Sequence, residues 1–132
     1  MMVDSSAWIE YFRHGEGPVS DAVDGLLEGE RALLCGVIEA EIIQGLRRGE
    51  REEVADLFSA LGYIETERRD FSAAGERLGE LRRSGITIPL TDAIIGVLCS
   101  RHDVALLTMD RHFDHMPEVE RIPTIGDSID GD

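Results

Sequence analysis

Four acidic residues each follow a short apolar segment of this chain, and long stretches of sequence separate them: Asp4, Glu41, Asp92 and Asp110. Carboxylates brought to one place repel one another, and their pKa values rise unless a cation lies between them. Clusters of oxygen ligands suit Mg²⁺ or Mn²⁺. If the fold brings these four side chains together, the chemistry that they predict is divalent metal binding.

Each of these acids, taken alone, has a simpler interpretation. Asp4, Asp92 and Asp110 all stand where a helix could begin, and aspartate is a common cap or first-turn residue because it complements the helix dipole. Three caps and a surface glutamate would carry no chemistry. Only their joint placement at one edge of a sheet favours a metal site.

The elements that would position these acids alternate along the chain. Short apolar runs predict strands at 1–3, 32–35, 62–64, 86–90, 104–109 and 121–125. Amphipathic patterns predict helices near 5–13, 18–28, 37–48, 51–60, 71–84 and 92–102. This alternation predicts an α/β fold with a central parallel sheet flanked by helices on both faces. The carboxyl ends of parallel strands share one edge, where α/β proteins place their sites.

The pattern alone leaves two assignments open: the strand at 86–90, and the acid that the helix 37–48 contributes. The segment 86–90 is the weakest strand, because Pro89 suits a loop leading into a helix better than a ladder. The helix 37–48 holds Glu39 and Glu41, which lie about 200° apart around its axis. Glu39 falls within the apolar stripe and Glu41 on the polar side, so periodicity favours Glu41 as the acid that reaches a cleft. Glu39 remains the alternative candidate for the acid of this helix.

Composition excludes several classes of enzyme. The chain has 132 residues, 27 acidic and 13 basic, and a formal net charge of −14. Every basic residue is arginine. The absence of lysine excludes P-loop NTPases, receiver-type and haloacid-dehalogenase-type phosphotransfer domains, and Schiff-base or PLP chemistry. The negative charge argues against a polyanion partner unless bound cations neutralise part of it.

The remaining features predict one domain over 1–125 and a short acidic tail over 126–132. Cys35 and Cys99 lie in apolar runs and are interpreted as small core residues, with no disulfide framework. No apolar run is long enough to span a membrane, and a cytoplasmic protein is expected.

Four stretches of the sequence resemble the PIN domain, and more narrowly the VapC toxins of toxin–antitoxin pairs. They are Val-Asp-Ser-Ser-Ala-Trp-Ile-Glu-Tyr-Phe at 3–12, Glu-Ile-Ile-Gln-Gly-Leu-Arg at 41–47, Gly-Ile-Thr-Ile-Pro-Leu-Thr-Asp-Ala-Ile-Ile-Gly at 85–96 and Leu-Leu-Thr-Met-Asp-Arg-His-Phe at 106–113. The resemblance spans nearly the whole chain with the motifs in order. Thr91 is a minor departure, because many relatives carry another residue before the aspartate.

This resemblance implies a metal-dependent endoribonuclease that uses Mg²⁺ or Mn²⁺ and leaves a 5′-phosphate and a 3′-hydroxyl. The family's acids fall on Asp4, Glu41, Asp92 and Asp110. The Asp-x-Ser and Thr-x-Asp contexts imply supporting hydroxyls at Ser6 and Thr108. The resemblance also implies a VapB-like antitoxin that neutralises the protein, and a homodimer. Because the antitoxin would be cationic near the site, it should bind without metal, whereas RNA should need the metal.

Basic residues near these motifs have two interpretations. The side chains of Arg47, Arg48, Arg82 and Arg83 could contact RNA phosphates, or could lie on solvated helix faces paired with glutamates.

Three residues that follow Asp110 in the sequence could also belong to the site or to the surface. His112 and His115 are interpreted as parts of a surface turn rather than metal ligands, because an oxygen cluster for Mg²⁺ needs no imidazole. Asp114 is a possible peripheral acid.

Two other functions remain open at this point. A protein that only sequesters a partner would share the surface but would not cleave RNA. A PIN nuclease of RNA maturation would cleave RNA but would have no antitoxin. A neighbouring gene for a DNA-binding antitoxin, or growth arrest on expression, would discriminate between them.

Overall fold

The computed structural model describes residues 1–122, and five short parallel strands form its centre. The strands are β1 Met2–Val3, β2 Leu33–Cys35, β3 Gly62–Ile64, β4 Leu106–Leu107 and β5 Arg121–Ile122. Their order across the sheet is β3-β2-β1-β4-β5, and every neighbouring pair is parallel. The predicted tail 126–132, and residues 123–125 of the last predicted strand and of the predicted domain, lie outside the described residues.

Six α-helices connect these strands: α1 Ser5–His14, α2 Pro18–Glu28, α3 Gly36–Gln44, α4 Arg51–Ser59, α5 Arg68–Arg83 and α6 Leu90–His102. From β1 to β3 the chain moves one way across the sheet, and from β3 to β4 it returns past β1. Because such crossovers are right-handed, the first four helices and the last two cover opposite faces. The predicted α/β fold with a parallel sheet between helical layers is therefore confirmed.

The chain leaves β1 toward β2, and β4 pairs with the other side of β1. The strand order thus reverses between β1 and β4. In open α/β sheets, the crevice at such a reversal, outside the carboxyl ends of the strands, is the usual place for a site.

The predicted strand at 86–90 is wrong. Residues 86–89 form no strand, and Leu90 begins α6 with Pro89 before it at φ −61° and ψ 145°. Proline has no N–H for a ladder, and its fixed φ suits the entry to a helix. The loop buries Ile88 and delivers Asp92 in the first turn of α6.

Two other predicted elements are shorter in the structure. The helix predicted over 37–48 ends at Gln44, where the backbone N–H of Gly45 turns back to the carbonyls of Ile42 and Ile43. The strand predicted over 104–109 pairs only at Leu106–Leu107. Its early end places residues 108–110 in a loop, where their polar groups are available for other contacts.

A continuous apolar core fills the space between sheet and helices, with Trp8 fully buried against Phe58. Cys35 and Cys99 are both free and buried in this core, as predicted. Burial raises the pKa of Cys99 to about 12, so its thiol is inert. Among residues 1–122, no helix is both long and apolar enough to cross a membrane.

Candidate active site

Asp4 lies at the carboxyl end of β1, beside the end of β4. Its backbone N–H donates to the Leu107 carbonyl at 2.9 Å, and its own carbonyl accepts the N–H of Ala7 at 3.0 Å to start α1. Asp4 is thus the N-cap residue of α1 by backbone position, but its side chain makes no capping hydrogen bond. The side chain of Asp4 is therefore not used to cap the helix.

Two hydroxyls hold the Asp4 side chain. Ser6 Oγ and Thr108 Oγ1 each donate to Asp4 Oδ2 at 2.8 Å. The same hydroxyls accept backbone N–H groups of the loop after β4, from Met109 at 3.0 Å and from Asp110 at 2.9 Å. One small network therefore fixes both Asp4 and the loop that carries Asp110. The structure places Ser6 and Thr108 where the resemblance implied supporting hydroxyls.

Asp92 and Asp110 converge on a third side chain, that of His112. His112 Nδ1 lies 2.7 Å from Asp92 Oδ2 and 2.9 Å from Asp110 Oδ1. One donor atom from each residue lies within 4.8 Å of the others, a spacing that could hold a metal ion. Asp92 makes no capping bond, whereas Asp110 Oδ1 accepts the backbone N–H of His112 and so does cap the 3₁₀ helix Arg111–His115.

Sequence reasoning missed the position of His112. The 3₁₀ turn after Asp110 carries the backbone of His112 over the carboxylate that caps it, so its imidazole turns back toward the acids. His115, on the same short helix, is exposed, as predicted. The only available signal was the two-residue spacing from Asp110, which a turn-forming aspartate commonly uses to bond its own backbone.

Glu41 extends from α3 toward the same edge of the sheet. Burial raises the pKa of Glu41, Asp4 raises it further, the Ser5 hydroxyl opposes this, and Asp92 and Asp110 add to the rise. Glu39 faces elsewhere and lines a separate cavity of about 310 Å³. The choice of Glu41 over Glu39 from helical periodicity therefore agrees with the geometry.

The site combines buried negative charge with unfilled hydrogen-bonding capacity. Burial raises the pKa of Asp4 despite the bonds from Thr108 and Ser6, and Asp110 adds to the rise. Burial also raises the pKa of Asp92, and His112 opposes this. Asp4 Oδ1 and Glu41 Oε1 are buried and have no hydrogen-bond partner. Across residues 1–122, the ion pairs of the four acids involve His112 alone.

These properties fit a divalent cation. A buried carboxylate oxygen without a donor is costly, and a bound cation is a partner that could offset this cost. It would also offset the mutual repulsion that raises the pKa values of these acids. The residues present therefore suit a metal centre formed by oxygen ligands from four separate elements.

A groove that includes Glu41 lies between α1 and α3, with both apolar and charged side chains in its lining. Its volume is about 400 Å³, and its lining residues are Ile9, Phe12, Arg13, Glu41, Ile42, Gly45, Leu46, Arg47 and Glu50. Ile9 and Phe12 expose 41% and 38% of their surfaces, a large fraction for apolar side chains. Arg13, which sequence reasoning did not single out, joins Arg47 on this wall.

The structure does not bring Arg82 and Arg83 into contact with the acids, although the sequence grouped these arginines with the site. Both are exposed in the last turn of α5, and neither lines the groove beside Glu41. Within residues 1–122, the side chain of Arg82 has no hydrogen bond or ion pair with any of the four acids, and its backbone carbonyl accepts the N–H of Gly85 at 2.9 Å. Arg82 lies in the last turn of α5, whereas Asp92 lies in the first turn of the next helix, α6. Its predicted contact with RNA stays a prediction.

The packing of α5 on α6 gives the approximate place of this helix end. Bonds from Arg101 to Asp70 join the last turn of α6 to the first turn of α5, so these helices are antiparallel. The last turn of α5 therefore lies toward the end of α6 that carries Asp92. Arg82 and Arg83 are peripheral to the site rather than part of it.

Two further predicted residues also lie outside the converging group. Arg48 is exposed and does not line the groove. Asp114 forms an ion pair with Arg121 and is not among the converging acids.

The fold and the converging carboxylates define a class of protein. The model of the PIN domain family matches residues 1–119, and the chain belongs to this family. The expectation from the sequence motifs is thus confirmed.

Within this family the chain is similar to VapC proteins. It is 29% identical over 127 residues to a VapC ribonuclease of Mycobacterium bovis, and equally so to ribonuclease VapC11 of Mycobacterium tuberculosis, with 92% of this chain and 95% of the relative covered in each case.

Solved structures share the fold. VapBC2 from Rickettsia felis, bound to a promoter DNA fragment, matches with a TM-score of 0.77 at 16% identity, covering 93% of this chain and 97% of that one. A DNA-bound VapBC from Salmonella typhimurium matches with a TM-score of 0.76 at 18% identity, covering 91% and 94%.

Proposed function

We propose that this protein is a metal-dependent endoribonuclease of the VapC type, a toxin that a cognate antitoxin neutralises. The observation that carries the proposal is the convergence of Asp92 and Asp110 at the reversal of strand order, with Asp4 and Glu41 close enough to interact with them electrostatically and a buried oxygen of Asp4 left without a partner. The family membership and the names of the mycobacterial relatives support the same activity.

The proposed ligands of Mg²⁺ or Mn²⁺ are the side chains of Asp4, Asp92 and Asp110, with Glu41 as a further ligand or as the acceptor that orients the attacking water. When bound, the ion supplies positive charge that activates water and stabilises the leaving oxygen. Ser6 and Thr108 hold Asp4 Oδ2, and Oδ1 is left without a hydrogen-bond partner and free to bind the ion. We expect cleavage to leave a 5′-phosphate and a 3′-hydroxyl.

The substrate must approach an acidic protein. Arg47 on the groove wall is exposed and could contact the RNA backbone, because a guanidinium binds phosphate through two parallel hydrogen bonds. Arg82 and Arg83 are exposed at the periphery and could contact only a substrate that extends beyond the acids. Arg48 is a weaker candidate than Arg47, since it lies outside the groove wall. Metal binding would complement these arginines by neutralising the central acids.

The groove beside Glu41 is the proposed binding site of the antitoxin. Its exposed Ile9 and Phe12 suit an apolar helix or strand, and Glu41 in its lining suits a basic side chain. The VapBC structures described above share this fold. Neutralisation would follow because the partner covers the site.

We place both proteins in the cytoplasm and propose that the chain forms a homodimer, which light scattering on the purified protein would test.

Cleavage is tested on purified protein with total RNA, in Mg²⁺, in Mn²⁺ and in EDTA. We expect new 5′-phosphate ends with either metal and none in EDTA. The Asp4→Asn variant should lose cleavage, whereas the exposed Asp56→Asn variant, matched in chemistry, should retain it. Equal cleavage in EDTA, or an active Asp4→Asn protein, would exclude the metal-dependent mechanism.

The toxin role is tested separately by expression in cells. We expect growth arrest with the wild-type chain, none with Asp92→Asn, and rescue by the short protein of the neighbouring gene. A protein that cleaves RNA in vitro without arresting growth would instead support a role in RNA maturation. A protein that binds the partner but never cleaves RNA would support sequestration alone.

A further inference from the structure

One imidazole nitrogen faces two carboxylates at the centre of the site. His112 Nδ1 lies 2.7 Å from Asp92 Oδ2 and 2.9 Å from Asp110 Oδ1. A neutral imidazole nitrogen has either one hydrogen or one lone pair, so it cannot serve both acceptors with a full hydrogen bond. Asp110 Oδ1, moreover, already accepts the backbone N–H of His112 at 2.9 Å.

These donor spacings match those of neighbouring ligands on one ion. In an octahedral site with bonds of 2.0–2.1 Å, adjacent ligand atoms lie about 3 Å apart. A nitrogen between two carboxylate oxygens at that spacing needs only small movements to share a cation with them. The backbone bond to Asp110 and the buried side chain of Phe113 anchor the short helix that presents His112.

A second observation concerns the neighbouring Asp4. Asp4 is 2% exposed, and its Oδ1 has no hydrogen-bond partner. Asp4 and Asp110 both raise the pKa of Asp92, so these three acids lie close enough to interact electrostatically. Thr108 Oγ1 also links Asp4 to Asp110 in space, since it donates to Asp4 Oδ2 at 2.8 Å and accepts the backbone N–H of Asp110 at 2.9 Å.

We propose that His112 binds the metal through Nδ1, so that this chain forms a mixed nitrogen and oxygen centre that prefers Mn²⁺ to Mg²⁺. Imidazole is a good ligand for transition metals, whereas Mg²⁺ strongly favours oxygen. The inference rests on the proposed metal-dependent function and adds a ligand to it. It also replaces the interpretation of His112 as part of a surface turn with no role in the site.

Electron spin echo measurements on Mn²⁺ test this directly, because a bound imidazole nitrogen modulates the echo. The untagged protein, stripped of metal and loaded with Mn²⁺, should show modulation from a coordinated nitrogen. Labelling the four histidines with ¹⁵N should change that modulation. Mn²⁺ that binds without a histidine nitrogen signal would overturn the inference, since the imidazole would then have been displaced.

Calorimetric titrations with Mn²⁺ and with Mg²⁺ provide the second readout. His112→Ala should weaken Mn²⁺ binding at least about tenfold and Mg²⁺ binding less than about threefold. His115→Ala, on the same helix but exposed, should change neither. Equal losses for both metals would overturn the inference and leave the proposed function intact. Failure of the wild-type protein to bind either metal would overturn both.

Discussion

Asp70 and Asp4 are the two most deeply buried aspartates among residues 1–122, and their surroundings are opposite. Asp70 is 0% exposed and Asp4 is 2% exposed. Asp70 accepts Arg101 Nε at 2.5 Å and Arg101 Nη2 at 2.7 Å, and it also accepts the backbone N–H of Glu67 at 2.8 Å. Asp4 has two neutral hydroxyl donors on one oxygen and none on the other.

The pKa shifts of the two residues follow from these contacts. Bonds from Arg101 lower the pKa of Asp70 in spite of its burial. Burial raises the pKa of Asp4, and repulsion from Asp110 adds to the rise. The hydroxyls that bind Asp4 carry no charge and do not cancel this effect. A carboxylate that holds the fold together thus has its counter-charge within the chain. A carboxylate whose counter-charge is missing from the chain is the better candidate for chemistry.

The largest expected effect comes from Asp4→Asn. RNA cleavage should fall at least about 100-fold, since loss of a proposed ligand should exceed the 10–100-fold cost of losing a ligand's outer partner. The melting temperature without metal should stay the same or rise, because a buried and uncompensated charge is removed. Cleavage rates and thermal unfolding of the same preparation check both. A large loss of stability would mean that Asp4 is structural, like Asp70.

Asp70→Asn should give the reverse result. We expect the melting temperature to fall by about 5–10 °C, because Arg101 loses its partner while remaining only partly exposed. Cleavage by the folded fraction should be unchanged. Arg69→Gln is the control, since its pairing with Glu67 is exposed and should contribute little.

The pH dependence of stability gives a second test of the same residue. Since the folded pKa of Asp70 is lowered, its stabilisation is present above the unfolded value of about 3.9 and is lost as the pH falls through the folded pKa. Denaturant unfolding below about pH 4 should therefore show a flatter acid dependence in Asp70→Asn than in the wild type. Equal slopes would show that Arg101 does not hold Asp70 ionised.

Addition of metal should stabilise the variants of Asp92 and Asp70 to different extents. Mn²⁺ at about 100 times its dissociation constant should stabilise the wild type by about 2.7 kcal/mol, because it binds only the folded protein. Asp92→Asn should lose most of this stabilisation, whereas Asp70→Asn should retain it. Thermal unfolding with and without Mn²⁺ measures the difference. An equal response in all three proteins would place the metal elsewhere.

The contrast between the two aspartates also marks what the sequence could reveal. Asp4 and Asp110 were predictable, because each directly follows an apolar run and parallel strands end at one edge. Asp92 was predictable although its strand was wrong, since Pro89 already indicated a loop before a helix. Asp70 gave no such signal, because its partner Arg101 is 31 residues away and pairs through the packing of α5 on α6.

His112 and Arg82 are two further residues whose positions could not be predicted from the sequence alone. The residue type and spacing of His112 indicate only a turn, and its approach to Asp92 depends on how α6 packs against the 3₁₀ helix, across 20 residues of sequence. Arg82 was grouped with the site because it precedes the motif at 85–96, yet it ends a different helix and touches none of the four acids. Short-range patterns place side chains that follow strands, whereas contacts between elements require the packed structure.

The smallest expected effect tests how Asp4 is held in place. Thr108→Ala removes one of the two donors to Asp4 Oδ2 and leaves the backbone N–H of Asp110 without its acceptor. Cleavage should fall about tenfold, at the low end of the cost of losing a group that orients a metal ligand. Thr108→Ser keeps the hydroxyl and should restore most of the rate. If alanine and serine lower cleavage equally, the methyl group of Thr108 matters through packing, and Asp4 is then oriented by Ser6 alone. The ratio of the two variants therefore measures how much of the activity depends on the network that distinguishes Asp4 from Asp70.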